Sequence, residues 1–188
     1  IKGSNIFRTV FFMPNLIGGI VLGYIWSMIF DGILSRYNTS ILLNSTYGFW
    51  GLIILMAWQQ IGYMMIIYIA GLQAVPGDML EAAKIDGASE WKTLWDIIIP
   101  NVMPSITICT FLTLTNSFKL YDQNLALTNG RPYNGAIHTT EMLALNIVNS
   151  NTLKTKGVGQ AKAVMFFVLV AIIGIFQMKS THDKEVQQ

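Results

Sequence analysis

Four runs without a single charged residue dominate this chain: Val10–Phe30, Phe49–Leu72, Val102–Phe118 and Ala163–Met178, of 21, 24, 17 and 16 residues. A helix that crosses the hydrocarbon layer of a bilayer needs about 20 predominantly apolar residues. The first two runs reach that length unaided. The third carries Pro104 in its first turn. The fourth crosses only with the approach from Gly157 and with the lysines at its ends snorkelling to the interface. Lipid offers no partner to backbone N–H and C=O groups, so runs of this kind must be helices. The expected fold is all-α, a polytopic membrane protein with spans at about 10–30, 49–72, 102–118 and 161–178 in one transmembrane domain, 1–188. The chain opens Ile1-Lys2-Gly3, without methionine or signal-peptide pattern, and is expected to be N-terminally incomplete.

Composition narrows the function classes. Hydrophobic residues make up 53% and charged residues 12%, the latter gathered between the apolar runs as in membrane proteins. A net charge of +2 gives no support for a nucleic-acid partner. The single cysteine, Cys109, excludes an intrachain disulfide framework. No phosphate-cradling G-x-x-x-x-G-K-[ST] occurs, and neither H-E-x-x-H nor G-x-S-x-G is present. His138 and His182 lack metal-ligand spacing to any other His or Cys. The span cores hold no ionisable pair. The chain is therefore expected to be no enzyme, with no catalytic residue, metal or cofactor of its own.

Between the second and third runs lies the polar stretch Pro76–Pro100, with five acids (Asp78, Glu81, Asp86, Glu90, Asp96) against Lys84 and Lys92. Asp78 followed by Glu81 reads as a capping-box-like helix start. Gly87 reads as a helix stop, Ser89 as the N-cap of a second helix, and Pro100 as its end. The stretch is thus expected to be a helix, a sharp turn and a helix held against the membrane, a shape another protein can grip. Trp91, Leu94, Trp95 and Ile98 recur at helical spacing and are expected to tie the second helix to the spans.

Within this stretch Glu81-Ala82-Ala83, then after three intervening residues Gly87, and after nine more Ile97-x-Ile99-Pro100, resemble the EAA loop of binding-protein-dependent ABC importer permeases, with Ile99 where leucine is usual. Ala70–Pro76, Lys119–Asp122 and Leu127–Pro132 are similar to the sugar-importer branch, of the kind of the larger membrane subunit of the maltose importer. The resemblance implies the last four spanning helices of a six-helix permease core, with loop 76–100 acting as a cytoplasmic coupling helix. It implies ATPase coupling through Glu81, Ala82, Ala83, Asp86 and Gly87: the glutamate meets a basic side chain of the ATPase, and the small residues permit close approach. The partners implied are ABC ATPase subunits, a second homologous permease, an extracytoplasmic sugar-binding protein, the sugar and the lipid bilayer. The place implied is the bacterial or archaeal inner membrane, with loop and C-terminus cytoplasmic. Charge alone does not orient the chain, because that topology divides the 12 Lys and Arg evenly. Read without the resemblance, Glu81 serves only the capping box and Gly87 only ends a helix.

Polar residues inside the runs form the second candidate site. They are Asn15 on the first, Gln59, Gln60 and Tyr63 on the second, and Thr113, Asn116 and Ser117 on the third. Spacings of three and four put each set on one helix face. Amides, hydroxyls and an aromatic ring suit an uncharged, hydroxyl-rich substrate. The resemblance places a sugar site at corresponding positions, although Met56 stands where the maltose-type permease has asparagine. The alternative is that hydroxyls bond back to their own helix, preferred for Thr107 and Thr110, and that amides fasten helices together. Gly19 and Gly23 allow a neighbouring helix to approach closely. Two further functions stand beside sugar import. One is import of another solute such as glycerol phosphate, which calls for cations along the pathway. The other is a channel or secondary transporter without an ATPase, which leaves the EAA-type loop unexplained.

Overall fold

The structure, a computed structural model, describes residues 3–134, 137–151 and 155–182. Among these the architecture is helical apart from one two-residue hairpin. The helices are α1 (Ser4–Phe12), α2 (Gly19–Leu34), α3 (Ser45–Gln73), α4 (Gly77–Ile85), α5 (Glu90–Thr93), α6 (Ile99–Phe118), α7 (Asp122–Leu127), α8 (Leu143–Ser150) and α9 (Lys156–His182). Strands β1 (Tyr133–Asn134) and β2 (Ile137–His138) pair antiparallel. Three helical rods are long and apolar enough to cross a membrane: Ser45–Gln73, Glu90–Phe118 and Lys156–Lys179.

The first apolar run is not one helix, contrary to the expectation for 10–30. α1 gives way to a 3₁₀ turn at Met13–Leu16, Gly18 is extended, and α2 leaves at 101° to the segment before it. Pro14 lacks an N–H and clashes with the preceding turn, and the chain yields there. Two side-chain hydrogen bonds fasten the break to α3. Gln59 donates its side-chain amide to the Ile17 carbonyl at 3.3 Å, and Asn15 donates to the Gln59 carbonyl at 3.4 Å. Gly62 lets the Phe11 carbonyl sit against the bare backbone; a Cβ there would lie 1.9 Å from that oxygen. The run forms a fourth span only if α1 and α2 together count as one broken crossing.

Two other boundaries differ from expectation. Pro100 does not end the second loop helix. α5 runs into α6 through a π turn at Leu94–Ile98, where the Ile99 N–H bonds the Leu94 carbonyl, so Glu90–Phe118 is one 29-residue rod. The widened turn ahead of Pro100 accommodates a ring that a regular α turn would reject. The polar segment between the third and fourth apolar runs, which reads as a plain connection in the sequence, carries α7, β1, β2 and α8 among its described residues. α7 packs on α2, close enough that a Cβ on Gly23 would fall 2.6 Å from that of Ala126. The neighbour admitted by Gly19 and Gly23 is thus a helix of the same chain. Ile41, Leu52, Leu55, Leu120 and Leu127 form the buried apolar cluster, flanked by Trp26 and Phe30.

Asn124 organises the turn beyond α7. Fully buried, it donates to Thr128 Oγ1 (3.0 Å) and to the Thr140 carbonyl (2.8 Å) and accepts from the Met142 N–H (2.9 Å). Asn129 and Gly130 take positive φ there. Further on, Lys162 on α9 donates to Asn146 and Ser150 on α8, at 2.7 and 2.6 Å, and Asn146 donates to Glu141 at 2.6 Å. Residues 183–188 of the polar tail lie outside the described residues.

Candidate functional site

In the loop, α4 begins at Gly77 with Pro76 as its cap and no side-chain capping bond. The capping box expected of Asp78 and Glu81 is not formed, because Asp78 lies inside the first turn, where its charge favours the helix N-terminus. The helix ends in a Schellman motif: the Ala88 N–H reaches the Ala83 carbonyl at 3.0 Å and the Gly87 N–H the Lys84 carbonyl at 3.2 Å. That motif needs the left-handed residue Gly87 supplies at φ +71°. Ser89 caps α5 as expected, accepting from the Lys92 N–H at 3.3 Å.

The loop's side chains divide by exposure. Glu81, Ala82, Asp86 and Gly87 are exposed, and Ile85 is 86% exposed. Among the described residues Glu81 has no side-chain hydrogen bond or ion pair. Ala83 is buried inside the loop, so its small size serves the packing of α4 itself. A cleft of about 480 Å³ opens between α4 and the start of the rod, with Asp86, Lys92 and Asp96 on its walls. Trp91 and Trp95 do not tie α5 to the spans. They are 69% and 53% exposed and pack edge to face on each other, ring centres 5.9 Å apart.

The seven intramembrane polar residues separate into groups. Gln59 is buried, and besides its bond to Ile17 it accepts from the Gln123 side chain on α7 at 2.8 Å. Its amide is consumed in joining α3, the break before α2, and α7, and Asn15 belongs to the same knot. Thr113 and Ser117 line a groove of about 400 Å³ between α3 and α6, together with Met64, Tyr68, Cys109, Thr110 and Leu114. Gln60, Tyr63 and Asn116 are half-buried and are not among its lining residues. The Gln60 Oε1 is buried and accepts no hydrogen bond from the described residues. Thr107, Thr110 and Ser117 bond back to carbonyls of their own helix, at 3.0, 2.7 and 2.8 Å. For Thr107 and Thr110 that was the preferred reading.

A family model described as the binding-protein-dependent transport system inner membrane component matches residues 2–179. The chain belongs to this family. It is a transport component of the inner membrane, and its role there is not catalysis. It is 43% identical, over its whole length, to the probable starch degradation products transport system permease protein of Thermoanaerobacterium thermosulfurigenes, covering 66% of that protein. It is 30% identical over 99% of its length to a multiple sugar-binding transport system permease protein of Streptococcus mutans, again covering 66%. The chain thus spans just under two thirds of the length of each of these two relatives. Its fold is that of a bacterial ABC transporter subunit involved in importing the acidic polysaccharide alginate, with a TM-score of 0.75 over 97% of this chain and 67% of that one, at 18% identity.

Sequence reasoning missed Gln123, Met64 and Tyr68 in this inner-membrane component. Gln123 sits in a segment read as a connection. Met64 and Tyr68 lie on the same α3 face as Gln60, one and two turns on, and that periodicity was available to find them.

Proposed function

We propose that the chain is the membrane-spanning part of an ATP-driven importer for an uncharged sugar or oligosaccharide. It holds the last four spans of a six-helix core, with the loop 76–100 and the C-terminal tail in the cytoplasm. Its partners are two ABC ATPase subunits, a second homologous permease and an extracytoplasmic sugar-binding protein. Glu81, Ala82, Asp86 and Gly87 form the ATPase-facing surface, with Ala83 packing beneath them.

The observation that carries this reading is the continuity of the rod Glu90–Phe118. One end follows the EAA-type turn, and the other carries Thr113 and Ser117 in the groove. At about 1.5 Å per residue the rod is about 43 Å long, so one continuous helix, with Pro104 inside it, joins the loop to the groove. Alternating access then follows from ATPase closure moving the loop. The substrate class is supported by the groove, whose lining holds hydroxyls, a phenol and a thioether but no charge. Lys119, the cation nearest the end of α6, is exposed and is not part of that lining, which disfavours a phosphorylated solute.

The test is ATP-dependent uptake by the complete transporter in proteoliposomes supplied with its binding protein, using labelled maltotriose and glycerol 3-phosphate. Uptake of the sugar alone is expected. Uptake of the phosphate ester alone, or sugar flux without ATP, overturns the reading.

A further inference from the structure

The groove between α3 and α6 has a closed end, and one residue there has no role so far. Below Tyr68, towards the loop, α3 and α6 come together at Gly71, where a Cβ would lie 2.3 Å from Ser105 Oγ and 3.4 Å from a Val102 methyl. The residues that line the groove lie on the side of that contact away from the loop. The Cys109 thiol donates to the Met64 carbonyl at 3.9 Å. Tyr68 lines the groove beside the buried Cys109. Eight residues up the rod is Ser117, about 12 Å away at the usual helical rise. The hydroxyls of Thr110 and Ser117 spend their protons on backbone carbonyls and keep lone pairs free to accept. The Thr113 hydroxyl has no hydrogen bond among the described residues.

We infer that Tyr68, with Met64 and Cys109, forms an inner subsite that takes one ring of an uncharged oligosaccharide at the closed end of this groove. Thr113 and Ser117 hold a second ring nearer the open end. The inference rests on the sugar-import reading and adds to it the residue that supplies the aromatic face. The phenol offers an apolar ring to the C–H face of a sugar. The subsite lies one to two turns closer to the loop than Tyr63, the tyrosine first expected to fill this role. It also lies beside the contact that must open for a sugar to leave on that side.

The experiment uses the complete transporter in proteoliposomes with maltose, maltotriose and maltohexaose, and reads uptake per assembled complex, assembly being scored by co-purification of the ATPase. Tyr68→Leu is expected to lower maltotriose uptake roughly tenfold, and Tyr68→Phe to keep it within about twofold, because the ring is retained. Equal loss in Tyr68→Phe assigns the role to the hydroxyl and overturns the subsite. Wild-type uptake in Tyr68→Leu overturns it as well. If Tyr68→Leu does not assemble, Tyr68→Trp decides: a changed preference among the three sugars supports the subsite, and an unchanged one overturns it. If the wild-type complex takes up none of the three, the sugar-import reading fails and the subsite with it; if only the Tyr68 variants behave as wild type, the subsite fails alone.

Discussion

Replacing Gln59 by leucine separates two roles that an intramembrane amide can play. The change nearly conserves volume and removes both side-chain bonds, leaving the Ile17 carbonyl and the Gln123 amide without their partners. A buried polar group left unsatisfied costs about 1–3 kcal/mol; both bonds here are part-buried, so about 2–6 kcal/mol for the two is the upper bound. Interhelical hydrogen bonds measured in membranes average only about 0.6 kcal/mol, so the lower bound is about 1 kcal/mol. Even that bound lowers the yield of assembled transporter and its resistance to heating in detergent, measured by size-exclusion profile after a temperature series. Transport per surviving complex is expected to stay at the wild-type level. Gln123→Leu removes one of the same bonds, so the double variant is expected to lose less than the sum of the single ones. Unchanged yield and heat resistance with altered sugar preference would refute the argument and return Gln59 to the substrate.

Three other outcomes are expected. Glu81→Lys abolishes uptake and reduces co-purification of the ATPase, because like charges facing each other at an interface cost on the order of several kcal/mol; α4 itself is unaffected, since Glu81 makes no capping bond in the structure. Gly87→Ala places a Cβ at φ +71° and destabilises the turn by about 1 kcal/mol, with Gly87→Asn milder, read as transport at increasing temperature. In a Cys109→Ser background, a cysteine at Asn134 is labelled by an impermeant reagent from outside intact cells and one at Ser89 is spared; the reverse pattern overturns the topology.

The long rods were legible because an uncharged run of sufficient length admits only a helix in lipid, whichever face it buries. α3 and the apolar part of α6 fall where those runs fall. The loop's turn was legible too, since Gly87 and Ser89 act through local backbone geometry. The break at Met13–Leu16 was not. Pro14, Gly18 and Gly19 were visible, but such residues are common in unbroken spans, and the decisive support comes from Gln59 and Gly62, more than 40 residues away. Gln59 was assigned to a cavity for the same reason. Spacing of three and four shows that residues share a face, and it is silent on what that face meets. Here it meets α7, hidden in a stretch whose polar composition read as a connection.

Pro100 shows how a local rule can be right about strain and wrong about outcome. A proline in a regular helix removes a bond and crowds the carbonyl four residues back, which predicts an end. The chain instead widens one turn at Leu94–Ile98 and continues. On the import reading the consequence is mechanical. A break at Pro100 would place a hinge between the loop and the groove, and loop motion would be absorbed there. With the helix continuous through Pro100 and Pro104, Cys109, Thr113 and Ser117 belong to the rod that leaves the loop turn and packs on α3, to which the α1–α2 break is fastened by Gln59 and Gly62. The interface between the rod and α3 includes the Gly71–Ser105 contact and, one turn further along α3, Tyr68. Displacing the loop therefore opens or closes the inner end of the groove, where an uncharged sugar would have to pass.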